Sequence, residues 1–194
     1  MVATNSSMLP IKTKASIFRL EDVRTGKMIE LHKACQTKGY LIAFICNHCP
    51  FVIHILDHLA PQFNKMNKED IQVFAISSNN IDKYPEDAPE KMRELAEKYQ
   101  FNFPYLFDRS QKVAKSFSAA CTPDFFLFNE NLELFYRGRY DDSRPNSNSQ
   151  VTGIDLLNAV KSLQNGKEPP IDQLPSIGCN IKWKPGNEPK YFER

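Results

Sequence analysis

The sequence predicts a mixed α/β domain whose sheet has a parallel core and an antiparallel edge, and three observations carry that expectation. The runs Tyr40 to Cys46 and Ile71 to Ser77 are continuously apolar instead of alternating, the pattern of strands covered on both faces. Each is followed by a segment with helical apolar spacing, which makes a strand-helix-strand-helix unit. Farther along, Asn129-Glu130-Asn131 joins two extended segments by a link too short for a parallel crossover, so those strands are expected to pair antiparallel. A chain of 194 residues, 41% of them hydrophobic and 25% charged, has material for one sizeable core with extensions but not comfortably for two. The single domain is expected to have its core at about residues 11–165 and a tail over 166–194.

In chain order, Ile17 to Leu20 and Met28 to Leu31 flank Thr25-Gly26-Lys27 as a short hairpin with a glycine turn. Tyr40 to Cys46 is the central strand. Pro50 stands where a first helical turn begins, and Val52, Ile55, Leu56, Leu59 and Phe63 recur at helical spacing, with Pro61 expected to bend the helix. The second buried strand is Ile71 to Ser77, and Pro89 opens a second helix carried by Met92, Leu95, Ala96 and Tyr99. Pro104 to Phe107 is short and extended, Ser110 to Phe117 a short helix, and Asp124 to Phe128 and Leu132 to Arg137 the antiparallel pair. Ser143 to Gln150 is a polar loop, and the last helix runs from Thr152 to Leu163, closed by Asn165-Gly166. With Pro170, Pro175, Pro185 and Pro189, the tail reads as extended chain laid over the domain.

Charge says little about partners. Lys and Arg total 25 against 23 Asp and Glu, and a net charge of +2 gives no field that would argue for nucleic acid or an anionic membrane. The longest apolar run has seven residues, far short of the roughly 20 that cross a bilayer. The amino-terminal residues lack the basic start and apolar stretch of a secretory signal, so a cytoplasmic location is expected. Five cysteines, an odd number in a chain too long to need disulfide staples, point to chemistry, metal or packing.

Cys46-Asn47-His48-Cys49-Pro50 is the informative segment. A C-x-x-C pair between the end of a buried strand and the start of a helix meets free N–H donors and the positive end of the helix dipole, both of which favour thiolate. Two cysteines so spaced can close a disulfide across the turn, and a protonated His48 between them would stabilise the reduced thiolate further. Two readings stand beside this one. The pair could be buried packing cysteines. Alternatively, Cys46, His48, Cys49, His54 and His58 could form a zinc cluster, although their spacing is far tighter than the roughly 12-residue loop of a zinc finger, and His54 and His58 alone read as solvated helix histidines. Thr122-Pro123 opens a later strand, and sequence alone assigns its peptide bond trans.

Together with the C-x-x-C run, four further segments carry a resemblance: Asn80 to Pro89, rich in Asp and Pro; Ala119-Ala120-Cys121-Thr122-Pro123-Asp124-Phe125-Phe126; Tyr136 to Pro145; and Pro175 to Lys184. In these segments the chain resembles the peroxiredoxin-like branch of the thioredoxin superfamily, related to the alkyl hydroperoxide reductase and thiol-specific antioxidant proteins. The resemblance implies a thioredoxin fold: a central mixed sheet flanked by helices, here with an N-terminal hairpin and an extended C-terminal tail. It also implies that Cys46 and Cys49 take the active-site position, that Pro123 faces them as a cis-proline, and that Thr122 offers its backbone to an extended substrate. Relative to true peroxiredoxins, Cys49-Pro50 matches the peroxidatic Cys-Pro, whereas Cys46 stands where they have a hydroxyl residue and Ile42 where they have a proline. Their active-site Arg has no clear equivalent near Cys121.

The expected function is that of a thiol-disulfide oxidoreductase with an antioxidant or redox-maintenance role, Cys46 attacking, Cys49 resolving and His48 tuning the pair. A thiol peroxidase with peroxidatic Cys49, and a non-catalytic zinc-binding module, are the alternatives. Cys121 and Cys179 are further resolving candidates, each with a packing or structural role as its rival, and Cys35 reads as a loop residue. Asp141, Asp142 and Arg144 read as solvated charge, with Arg144 a candidate for contacting a substrate anion. Expected partners are a protein or small-molecule disulfide, or a peroxide under the alternative reading, and a cellular thiol reductant, with no cofactor, nucleic acid or membrane.

Overall fold

The computed structural model describes residues 3–33 and 37–192; Cys35 lies outside them. In chain order the strands are β1 (Ala3–Asn5), β2 (Arg19–Asp22), β3 (Met28–Glu30), β4 (Gly39–Phe44), β5 (Ile71–Ser77), β6 (Tyr105–Phe107), β7 (Cys121–Thr122), β8 (Asp124–Asn129), β9 (Leu134–Gly138) and β10 (Ile177–Asn180). The helices are α1 (Pro50–Lys68), α2 (Pro89–Lys98), α3 (Lys112–Ser116) and α4 (Ile154–Gln164), and a single 3₁₀ turn at Pro85–Asp87 precedes α2.

The main sheet has the order β3-β2-β6-β5-β4-β8-β9. Its middle is parallel, β4 with β5 and β5 with β6, while β8 and β9 on one side and β2 and β3 on the other pair antiparallel. This is the mixed sheet of a thioredoxin fold. β4 explains why its sequence does not alternate: Leu41 and Ala43 face one hydrophobic layer, with Val52, Leu56, Phe63 and Leu156 of α1 and α4. Tyr40, Ile42 and Phe44 face the other, with Phe117, Phe126 and Phe128. Phe117 is the hub there, its ring centroid 5.8 to 5.9 Å from those of Phe44, Phe126 and Phe128.

Local sequence positions the elements as expected, with four differences. The hairpin turns at Gly26, in the left-handed region at φ 69°, and its first strand begins later, at Arg19. The chain stays helical past Pro61, which lies on the exposed side of α1. The tail does more than lie over the domain: β10 is the middle strand of a second sheet, β1-β10-β7, and Trp183 and Ile181 behind it are buried in the aromatic layer. The Thr122–Pro123 peptide is cis, as the family resemblance implies and contrary to the default reading of the sequence.

Candidate active site

The central strand delivers the site. β4 ends at Phe44, the chain leaves the sheet through Ile45 and Cys46, and Cys49 becomes the N-cap of α1 with Pro50 as first helical residue. A proline there gives up an N–H that has no partner in the first turn anyway, and its ring presets the helical φ. β7 and the cis-proline lead straight into β8, which is β4's antiparallel neighbour, so Thr122 arrives beside both sulfurs. Cys46 Sγ lies 3.3 Å from Thr122 Oγ1, and the neutral Cys49 thiol donates to the Thr122 carbonyl at 3.1 Å.

The Asn47-His48 turn is clamped by Asp87, from the 3₁₀ turn before α2. Its fully buried carboxylate accepts from the backbone N–H of Asn47 at 2.8 Å and of His48 at 3.4 Å, and from the Asn79 amide at 2.7 Å. His48 Nδ1 approaches the same carboxylate at 2.7 Å, while its ring stacks on Tyr84 with centroids 5.3 Å apart. The hydrogen bond to Asp87 raises the His48 pKa, opposed by partial burial. Asn47 is fixed in turn: its amide donates to the Glu86 carbonyl at 2.9 Å, and Tyr105 OH donates to its side-chain oxygen at 3.1 Å.

The two cysteines shift in opposite directions. Hydrogen bonds from the Cys179 and Cys46 thiols hold the Cys49 thiol far below its ordinary pKa, with help from Thr122 and the Val52 backbone, and they outweigh its burial. Cys46 moves the other way, raised by donating to Cys49, by burial and by the nearby charge of Asp87. The His48 imidazolium lies against Asp87, so together the two bring no net positive charge to the Cys46 sulfur.

With that geometry established, comparison places the chain among known proteins. The pattern of the AhpC/TSA family matches residues 11–137. The chain belongs to this family. An uncharacterized conserved protein from Geobacillus kaustophilus has a solved structure that superposes with a TM-score of 0.92 at 44% identity, over 95% of this chain and 98% of that one. A hypothetical protein from Sinorhizobium meliloti gives 0.90 at 41% identity, over 93% and 98%. The thioredoxin domain of a thiol-disulfide oxidoreductase from Bacteroides vulgatus, 16% identical, shares the fold with a TM-score of 0.60, over 80% and 98%. No curated protein matches the chain. AhpC/TSA membership and the thioredoxin fold make its function redox in kind, thiol-dependent oxidoreductase or peroxidase in type.

Measured against its sequence, this AhpC/TSA chain assembles Cys46, His48, Cys49, Thr122 and Pro123 at one place, and adds Cys179. Cys121 is one residue from Thr122, and adjacent strand residues face opposite sides. Its thiol contacts the Pro123 carbonyl at 3.6 Å, and burial and the charge of Asp124 raise its pKa. The five-ligand zinc cluster does not form, because α1 carries its histidines away: His54 Nε2 meets Ser143 Oγ at 3.1 Å, and His58 Nδ1 meets Tyr140 OH at 2.8 Å. Among the described residues, a trio that could hold a metal ion is Cys46, His48 and Asp87, with ligand atoms within 4.8 Å of one another. Asp141 is not solvated. It is buried and accepts from the Thr152 and Gly153 N–H groups at 2.7 Å, which satisfies free donors at the start of α4. Half-buried Arg144 donates to the carbonyls of Asp141 and Ser143. Sequence reasoning missed Asp87, whose only signal was its place in the Asp- and Pro-rich segment of the family resemblance.

Proposed function

We propose that this AhpC/TSA member is a thiol-disulfide oxidoreductase that cycles Cys46 and Cys49 between dithiol and disulfide, with Cys49 as the nucleophile. The observation that carries the reading is the placement of both sulfurs at the start of α1 against Thr122, Cys46 Sγ 3.3 Å from its hydroxyl and Cys49 Sγ 3.1 Å from its carbonyl, beside the cis-proline Pro123. Cys49 thiolate attacks one sulfur of a substrate disulfide, and the other sulfur leaves as a thiol. Cys46 then loses its proton and attacks Cys49 in the mixed disulfide, which releases the second substrate thiol and closes Cys46–Cys49. A cellular thiol reductant returns the pair to the dithiol. His48 and Asp87 fix the turn and so the spacing of the two sulfurs. The substrate is a protein or small-molecule disulfide, and the reducing cytoplasm is the compartment that suits such a cycle. Cys46 and Cys49 are 1% and 0% exposed, so substrate contact requires local opening around the site.

The same depressed Cys49, followed by Pro50, also supports a peroxidase reading, in which the thiolate takes one peroxide oxygen and Cys46 condenses with the resulting sulfenic acid, releasing water. Disulfide exchange is favoured because the groups that stabilise Cys49 are themselves thiols, positioned to resolve a mixed disulfide. Rates of reduction of a model aromatic disulfide and of consumption of hydrogen peroxide, measured on the same preparation, separate the two. Disulfide reduction is expected to be the faster and to be lost in Cys49→Ser, with Cys46→Ser/Cys179→Ser, which keeps neither neighbouring thiol, accumulating mixed disulfide. Rapid peroxide consumption together with negligible disulfide reduction would sink the proposal.

A further inference from the structure

The tail strand is held against the site by more than one kind of contact. β10 pairs antiparallel with β7 in a register that sets Cys179 opposite Thr122 and Asn180 opposite Cys121, and the ladder continues as Ile181 N–H donates to the Ala120 carbonyl at 3.1 Å. Only glycine fits beside it: a Cβ on Gly178 would lie 2.0 Å from the Thr122 carbonyl oxygen. Residues on either side are anchored. Ser176 N–H donates to Ser6 Oγ at 2.9 Å and Ser176 Oγ to the Gly138 carbonyl at 2.7 Å, while Lys182 N–H donates to Asn79 Oδ1 at 2.8 Å. Cys179 is thereby buried opposite Thr122, whose carbonyl lies 3.1 Å from Cys49 Sγ, and Cys46, Cys49 and Cys179 share one buried cluster, with Cys46 coming from the turn and Cys179 from the tail.

We propose that Cys179 is a third redox-active thiol, which alternates with Cys46 as the disulfide partner of Cys49; this deepens the function proposed above and rests on it. Starting from the Cys46–Cys49 disulfide, Cys179 loses its proton and its sulfur attacks Cys49 Sγ. The Cys179–Cys49 bond forms, the Cys46–Cys49 bond breaks with its electron pair leaving on Cys46, and Cys46 takes up the proton that Cys179 gave. One disulfide and one thiol are present before and after, so the step needs no oxidant. In the reduced protein both outer thiols are restrained because they donate to Cys49 thiolate, which raises both pKa values. Once Cys49 is in a disulfide that restraint is gone, and exchange can run. The product keeps Cys49 oxidised within the closed fold and leaves Cys46 as a free thiol.

Non-reducing peptide maps of the full chain test this. Trypsin leaves Cys46 and Cys49 together in the peptide Gly39 to Lys65, and Cys179 in Glu168 to Lys182. After mild oxidation with a small-molecule disulfide, Cys46→Ser should lose two titratable thiols and give these two peptides cross-linked, while Cys46→Ser/Cys179→Ser should give no such link. Wild type, which needs no variant to fold, should show the cross-linked peptides beside the internal Cys46–Cys49 disulfide. Cys179→Ser should still close Cys46–Cys49. If it does, and Cys179 remains fully alkylatable in both oxidised Cys46→Ser and oxidised wild type, the role of Cys179 is overturned and the C-x-x-C cycle stands. If neither disulfide forms in any of these proteins, both are overturned.

Discussion

The two sides of β7 hold cysteines of opposite character one residue apart in sequence. On the Thr122 side, Cys46, Cys49 and Cys179 are packed together, and the two neighbouring thiols lower the Cys49 pKa. On the Cys121 side, a single thiol is packed against the Pro123 carbonyl beside Asp124, and burial and that carboxylate favour the neutral form, outweighing the charge of Arg144. Both environments are buried, so burial alone does not decide reactivity. The difference is the number of hydrogen-bond donors directed at a sulfur, which can offset its desolvation.

The largest effect should come from removing each sulfur in turn. Cys49→Ser is expected to abolish disulfide formation at the site and turnover of a model disulfide, whereas Cys121→Ser should keep both within about a factor of a few. A thiol count before and after oxidation, combined with the rate assay, checks this. Equal losses in the two variants would erase the contrast between the faces.

Each side also has a buried carboxylate, and the two should respond to neutralisation with opposite signs. Asp87→Asn removes the acceptor of two backbone N–H groups and the partner of His48, and a loss of about 2 to 4 kcal/mol in unfolding free energy is expected. Because the charge of Asp87 raises Cys46, the variant's Cys46 should also titrate lower, readable in the ultraviolet absorbance of the thiolate against pH. Asp124 is the reverse case. Its Oδ1 has no hydrogen-bond partner, and burial raises its pKa well above the carboxylate range. Folding is therefore helped below the unfolded-state value, near 4, and that help is lost as pH rises through the folded value. Asp124→Asn removes the loss and should stabilise the protein at neutral pH. Chemical denaturation at acid and neutral pH gives both signs.

What was legible in the sequence follows the range of the interactions. The continuous apolar run of β4, the proline at the start of α1 and the C-x-x-C spacing are local, and they were enough for the core of the sheet and the location of the site. How the surroundings shift each cysteine was not legible, because that depends on Asp87, some 40 positions from the turn it clamps, and on Cys179, more than 100 positions away in the tail. β10 was hidden for a related reason. A strand flanked by prolines reads as irregular chain, and its partners, Ala3–Asn5 and Cys121–Thr122, lie far off in sequence. Asp141 looked solvated among charged neighbours, and only the fold brings the start of α4 to its carboxylate.

The smallest effect expected is the pH dependence contributed by His48, and it tests whether Asp87 acts on the site alone or as half of a pair. The folded-state His48 pKa is raised, first by its hydrogen bond to Asp87, above an unfolded value near 6.5. A raised pKa in a basic group means stabilisation fully present below that unfolded value and lost as pH climbs through the folded one. The difference in unfolding free energy between wild type and His48→Ala should therefore be largest in acid and shrink above neutrality, with the stacking on Tyr84 contributing at every pH. Placed in an Asp87→Asn background, the same substitution should show no such slope, since the carboxylate that raises the pKa is gone. A slope that survives in that background would mean that another group holds the imidazolium, and Asp87 would then act on Cys46 as an unpaired charge.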